Sequence, residues 1–223
     1  MRFPSRFLIC LAVLACATGL QASEIEVTIG HSLVAPGGAV DYLPVYIHTD
    51  TGTVNLAATS FEFQITTNGS VAVQFVNSSD PSMDPTFGSS NYVFSGVSGD
   101  QAFNVPLGTA TSATTFSGAD EANNSPDFFV PLTTTPELLG LLPITTLTNT
   151  APPLGDAFTV SLVPYSASNP ITFFVDDNGS SLPINSASFA PSQVNVVPEP
   201  STLALAMIGV TTLTLGSRWR RKA

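Results

Sequence analysis

Apolar residues return at every second position in run after run of this chain. The runs are Ile25, Val27 and Ile29; Phe61, Phe63 and Ile65; Val71, Val73 and Phe75; Phe158, Val160 and Leu162; Ile171, Phe173 and Val175; and Val194 and Val196. A β-strand turns successive side chains to opposite faces, so a period of two marks one apolar face per strand; an amphipathic helix would need apolar residues three and four apart. Turn chemistry separates the runs: Ala35-Pro36-Gly37-Gly38, Thr51-Gly52, Asn68-Gly69, Leu154-Gly155-Asp156 and Asp177-Asn178-Gly179. Asn68-Gly69 between two alternating runs predicts a hairpin. Many short strands without helical periodicity predict an all-β fold, an antiparallel sandwich or jelly roll, over residues 24–197.

Some segments read differently. Val40 and Tyr42 alternate in one phase and Leu43, Val45 and Ile47 in the other, which predicts a β-bulge near Pro44 at an edge or bulged position. Residues 77–127 read as long loops with short strands at Tyr92-Val93-Phe94 and Phe103-Asn104-Val105; the stretch from Ser117 to Asp127 is polar and turn-rich. Gly140 and Pro143 argue against a helix over Leu138 to Leu147, leaving a buried strand. Thirteen of the 15 phenylalanines lie in residues 24–197, so inward-facing aromatic rings are expected to fill the core.

Charge is partitioned along the chain. All six basic residues lie at the ends: Arg2 and Arg6, then Arg218, Arg220, Arg221 and Lys222. Of 16 acids only Glu199 falls outside residues 24–197, so that segment carries a formal charge of −15. A segment without cations cannot neutralise phosphates, which removes nucleic-acid binding and lysine-dependent nucleotide binding. Cys10 and Cys16 both precede it, so it has no disulfide, thiol nucleophile or cysteine metal site.

The ends read as addresses. Arg2 and Arg6, the apolar run Phe7 to Leu14 and the small residues after it follow the pattern of a secretory signal peptide over residues 1–22, with cleavage after Ala17 or Ala22. The alternatives are a lipidated Cys16, from the loose lipobox Val13-Leu14-Ala15-Cys16, and a permanent anchor, for which the run is short. At the other end, Pro198-Glu199-Pro200 leads into an apolar run over 202–216 and the cluster Arg218-Trp219-Arg220-Arg221-Lys222. As a helix that run would reach about 22 Å, a short membrane span. The cations Arg218, Arg220, Arg221 and Lys222 would stay cytoplasmic and halt translocation, with Trp219 at headgroup level. Pro198 and Pro200 fix two φ angles and disfavour helix at Val197 and Glu199, giving a stiff extended handle.

Pro-Glu-Pro, apolar span and Arg-rich tail, in that order over residues 198–223, resemble the PEP-CTERM protein-sorting signal. The resemblance implies export by a bacterium with a double envelope, recognition of Pro198, Glu199 and Pro200 by an exosortase-type processing enzyme, and a link to exopolysaccharide and biofilm matrix. A second resemblance covers about half of the body. Gly37-Gly38-Ala39-Val40 into Leu43-Pro44-Val45-Tyr46-Ile47, and Asn55-Leu56-Ala57 into Phe61-Glu62-Phe63-Gln64-Ile65, look like the opening of a cohesin-type sandwich. Phe174-Val175-Asp176-Asp177-Asn178-Gly179, Leu182-Pro183 and Gln193-Val194-Asn195-Val196 look like its closing hairpin. Cohesins bind dockerin modules through one sheet face, and related sandwiches bind carbohydrate. The middle of the body departs from the pattern with longer Ser/Gly/Asp loops, so the resemblance implies the fold rather than the partner.

The chemistry available to the body is sparse. His31 and His48 show no second ligand at metal spacing and read as exposed or hydrogen-bonded loop residues. Asp176, Asp177 and Asn178 are the calcium candidates. Their loop lacks the sixth-position glycine and closing glutamate of a calcium hand, and a tight turn with Gly179 at positive φ accounts for it without metal. Asp120 with Glu121, or Asp80 with Asp84, are the carboxylate pairs a glycosidase would need. Tyr42, Tyr46, Tyr92 and Tyr165 are possible sugar-stacking surfaces; the body has no Trp. The expectation is a non-enzymatic exported module, structural or adhesive, without a resident cofactor. Its alternatives are a carbohydrate-binding module and a cohesin-like protein-binding module.

Overall fold

The computed structural model describes all residues except 1–22, 31–32, 35–37, 68–71, 78–83, 104–106, 124–127, 148–156, 167–170 and 197–223. The signal peptide, the Pro198-Glu199-Pro200 motif, the apolar span, the basic cluster, His31 and Asp80 therefore lie outside the described residues. Among the described residues, no helix is long and apolar enough to cross a membrane.

Two antiparallel layers form the body. The smaller sheet has the order β1-β3-β9-β5, from β1 (Ile25–Ile29), β3 (Val40–Thr49), β9 (Glu137–Thr146) and β5 (Val73–Phe75). The larger runs β2-β12-β10-β4-β7-β6, from β2 (Leu33–Val34), β12 (Ser192–Val196), β10 (Ala157–Leu162), β4 (Val54–Thr67), β7 (Thr115–Glu121) and β6 (Gly108–Ser112). Its spine is the 14-residue β4. β10 and β11 (Phe173–Asp176) pair along one edge of β4, and β7 and β8 (Val130–Leu132) along the other. The pair β12–β2 is parallel.

The alternation read from the sequence fills the space between the layers. Ile25, Val27, Leu43, Val45 and Ile47 of the smaller sheet face Phe61, Phe63, Phe158, Val160 and Val194 of the larger, all buried. Phe61 and Phe63 lie 5.6 Å apart, centroid to centroid, as do Phe75 and Phe116. Phe61 is paired directly with Gly118, and a Cβ on that glycine would lie 2.6 Å from the Phe61 ring. The missing side chain is the space the ring occupies.

Several expectations are corrected. Asn68-Gly69 lies outside the described residues, but the strands on either side of it, β4 and β5, belong to different sheets and so are not the two arms of a hairpin. Apolar alternation on both sides of a turn is satisfied equally by one sheet or by two facing ones. The bulge predicted near Pro44 lies on the partner strand. Val45 opposes Gly140 and Tyr46 opposes Leu138, so Leu139 of β9 is the extra residue; β3 keeps one phase, with Val40 and Tyr42 exposed on its outer face. Pro44 is on an interior strand, one rung past the end of β1, where Gly30 N–H still donates to its carbonyl. Ser117 to Glu121 is not loop but part of β7, with Ser117, Ala119 and Glu121 facing outward. Phe103 ends a short helix, α1 (Gly99–Phe103), instead of opening a strand. Tyr92-Val93-Phe94 forms turns, buried, with only an isolated bridge from Tyr92 to Leu138.

The β1 edge of the smaller sheet and the stretch of β9 that β5 leaves unpaired are both covered. Residues 183–188 close the β1 side: Ile25 N–H donates to Pro183, Asn185 N–H to Ile25, and Val27 N–H to the buried Ser188 hydroxyl at 2.8 Å. On β9, which the apolar run 138–147 foretold, Leu138 exchanges bonds with Asn91 and Val93, and Leu141 N–H donates to the Thr86 hydroxyl. A sheet edge left bare would offer unpaired donors and acceptors to other chains.

Candidate functional site

Among the described residues the buried carboxylate is Asp120. On β7 the inward positions are Phe116, Gly118 and Asp120, so strand alternation drives a carboxylate to 4% exposure. It is accommodated by hydrogen bonds. The Tyr92 hydroxyl donates to Oδ2 at 2.5 Å, while Oδ1 accepts from the N–H groups of Glu121 at 2.7 Å and Asp100 at 3.1 Å. Burial, and then the Asp120 charge, push the Tyr92 phenol far above its usual range. Asp100, on α1, is pushed up to about 7, first by burial and then by the charges of Asp120 and Glu121. These bonds tie α1 and the Tyr92 segment to the sheet.

They also decide against Asp120–Glu121 as a catalytic pair. Successive residues of a strand point to opposite faces, so Asp120 faces the core and Glu121 faces solvent. Asp84 is likewise engaged: its two oxygens accept from Thr86 N–H and Leu107 N–H. Asp80, the other member of its pair, lies outside the described residues.

The calcium candidates form the turn that closes β11. Asp176 Oδ1 accepts from Asn178 N–H and Ser180 N–H, and Gly179 has φ 77°. Asp177 accepts from the side-chain amides of Asn55 and Asn178. Asp176 and Asp177 share a cleft of about 310 Å³ with Glu121 and Phe128, which has a positive φ of 56°. Among the described residues, no group of three or more His, Cys, Asp or Glu side chains could hold a metal ion. His48 is a strand residue of β3, not a loop residue. Its Nε2 lies 3.0 Å from Glu26 on the paired strand β1, and its Nδ1 is buried without a hydrogen-bond partner.

The four tyrosines do not form one platform. Tyr92, at 3% exposure and packed edge-on to Phe87 and Phe94, has no face for a ligand, which removes it from the stacking candidates. Tyr42 and the half-buried Tyr46 share the outer face of the smaller sheet. Tyr165 stands alone after β10, 60% exposed. There it lines a cleft of about 580 Å³ with Phe173, Val175, Leu182, Ile184 and Phe189. Phe173 and Val175 were expected to face inward. In β11 it is Phe174 that is fully buried, while Phe173 is 37% exposed. The doublet Phe173-Phe174 makes both strand phases apolar, so alternation alone could not tell which ring leaves the core. This apolar cleft is thus made partly by residues expected in the core. Among the described residues, no Asp or Glu lines it.

Comparison with known proteins gives two findings. Residues 196–222 match the model of the PEP-CTERM protein-sorting motif. No curated protein matches the chain. Among solved structures, the chain is similar to the third cohesin of ScaC from Acetivibrio cellulolyticus, solved with the ScaB dockerin. The identity is 11%, over 78% of this chain and 99% of that one, with a TM-score of 0.45. It is similar to a type III cohesin module of the ScaE cell-surface anchoring scaffoldin of Ruminococcus flavefaciens at 13% identity, over 81% and 90%, with a TM-score of 0.45. A non-cellulosomal cohesin from Archaeoglobus fulgidus matches at 11% identity, over 81% and 96%, with a TM-score of 0.42. The match begins at Val196, the last residue of β12: the chain carries a PEP-CTERM sorting motif directly behind an antiparallel β-sandwich.

Proposed function

We propose that the protein is a non-enzymatic module, exported across the inner membrane, tethered by its C-terminal span, and then displayed on the envelope or released into an extracellular polysaccharide matrix with a structural or adhesive role. The observation that carries this is the sorting motif at residues 196–222. An exosortase-type enzyme would recognise Pro198, Glu199 and Pro200, and the cations Arg218, Arg220, Arg221 and Lys222 would hold the tail at the cytoplasmic face. Two further features support a binding or structural role over catalysis. Asp120 and Asp84 are engaged as acceptors inside the scaffold, and the cleft beside Tyr165 is apolar. Deleting residues 198–223 in a host that carries an exosortase should abolish membrane retention. Unchanged fractionation, or a mature chain found in the cytosol with both ends intact, would refute the proposal.

A further inference from the structure

The outer face of the larger sheet has a composition unlike the rest of this acidic body. Strand register places its outward side chains in rows. Thr66, Thr159 and Gln193 form one row across β4, β10 and β12, and Gln64 lies between Ser161 and Thr115 in the next. Glu62, Ser117 and Thr109 follow, and the Ser117 hydroxyl donates to Glu62 at 3.2 Å. Phe173, Ser60 and Ala119 make the row after that. The aromatic cleft with Tyr165 therefore opens beside four rows of hydroxyls and amides in which Glu62 is the strand-borne charge; Asp100 of α1 lies against Ser60, Thr109 and Ser117, and Glu121 follows in the next row with Val175 and Ala58.

We infer that this face, from the Tyr165–Phe173 cleft across the hydroxyl and amide rows, binds a neutral polysaccharide. The inference rests on the export proposed above and names the ligand class. Charge selects the occupant. An anionic polymer would be repelled by a body of formal charge −15, and a cationic one would find no carboxylate in the cleft. Ring chemistry selects it too. A lipid or apolar peptide lying on the rows would desolvate their hydroxyls and amides without replacing the lost hydrogen bonds. A neutral sugar chain meets both requirements: apolar C–H faces for the exposed rings of Tyr165 and Phe173, and hydroxyls that donate to and accept from Thr, Ser and Gln. Phe173 belongs both to the cleft and to the row of Ser60 and Ala119, so a chain spanning the two can place several sugar units at once and individually weak contacts add.

The test is affinity electrophoresis of the full-length protein, solubilised in a non-glycosidic detergent, through gels containing dextran, galactomannan or alginate. The expected result is retardation by at least one of the two neutral polymers, unchanged between low and high salt. Tyr165→Ala and Phe173→Ala should each weaken it about tenfold, and Gln193→Ala severalfold; Tyr42→Ala, on the other sheet, should leave it as it was. Tyr165→Leu and Phe173→Leu keep apolar bulk but remove the flat ring. They should lose retardation like the alanine variants while melting with the parent. Absence of retardation by both neutral polymers, retardation by alginate alone, or retardation indifferent to the Tyr165 and Phe173 substitutions would overturn the inference. If it fails while deletion of residues 198–223 still abolishes membrane retention, the export proposal stands and only the ligand falls.

Discussion

Asp120 and Gly118, two successive inward positions of β7, show how far one side chain can constrain its surroundings. Asp120 is tolerated in the core because Tyr92 and two backbone N–H groups satisfy it. Tyr92→Phe keeps the ring packing and removes one donor, which should cost about 1–3 kcal/mol in chemical denaturation. Asp100 gives a pH dependence with a definite sign. Its carboxyl sits at about 7 in the folded state against an ordinary 3.8. Between those values the folded protein binds the proton and the unfolded chain releases it, so stability falls as pH rises from about 4 to 7 and levels above. Asp100→Asn should flatten that window in melts taken across pH; a slope that survives the substitution would assign it to another group. At the neighbouring position, Gly118→Ala drives a methyl into the Phe61 ring, and an overpacking loss of about 1–3 kcal/mol is expected in the same denaturation assay.

Strand β1 depends on residues far away in sequence. Its outer side is bonded to residues 183–188, including the Ser188 hydroxyl, which is 161 positions from Val27. Ser188→Ala leaves a buried N–H unpaired. Hydrogen exchange should accelerate across residues 25–29 with little change in β10, and global stability should fall by about 1–3 kcal/mol. Exchange that is uniform across the sheets would contradict a local closure. The strands themselves were mostly legible, because β1, β4, β10 and β12 each show alternation over a half-buried surface. Pairing was less so: an Asn-Gly turn marks a reversal of direction but not the sheet to which the returning strand belongs. The bulge left an irregularity near Pro44 in β3, yet the extra residue is in β9, within a run so uniformly apolar that no phase can be read there.

Between Glu24 and Val197 the protein carries only negative formal charges. Their mutual repulsion opposes compactness and is screened over a Debye length of about 10 Å at 0.1 M salt. Raising the salt should therefore raise the melting temperature, and millimolar Ca²⁺ or Mg²⁺ should raise it further at matched ionic strength. The second effect would be diffuse, since no described cluster of three ligating side chains exists. Identical melts in chelator and in Ca²⁺ at matched ionic strength would remove the divalent contribution. The same charge shapes the choice of ligand, because a body of formal charge −15 repels an anionic polymer.

Local patterning was enough to establish an all-β body, its strand-forming runs, the turn at Gly179 and the sorting motif, because each is written within a few consecutive residues. Which strands share a layer, which side of β11 meets solvent, and which carboxylate is buried were left to long-range packing. Phe173 and Phe174 are equally apolar, and only β4 and the facing sheet determine which becomes core and which lines a cleft. Asp120 and Glu121 are adjacent and chemically alike. The alternation of β7, fixed by its register against β4, gives one a tyrosine partner in the interior and the other a place in water.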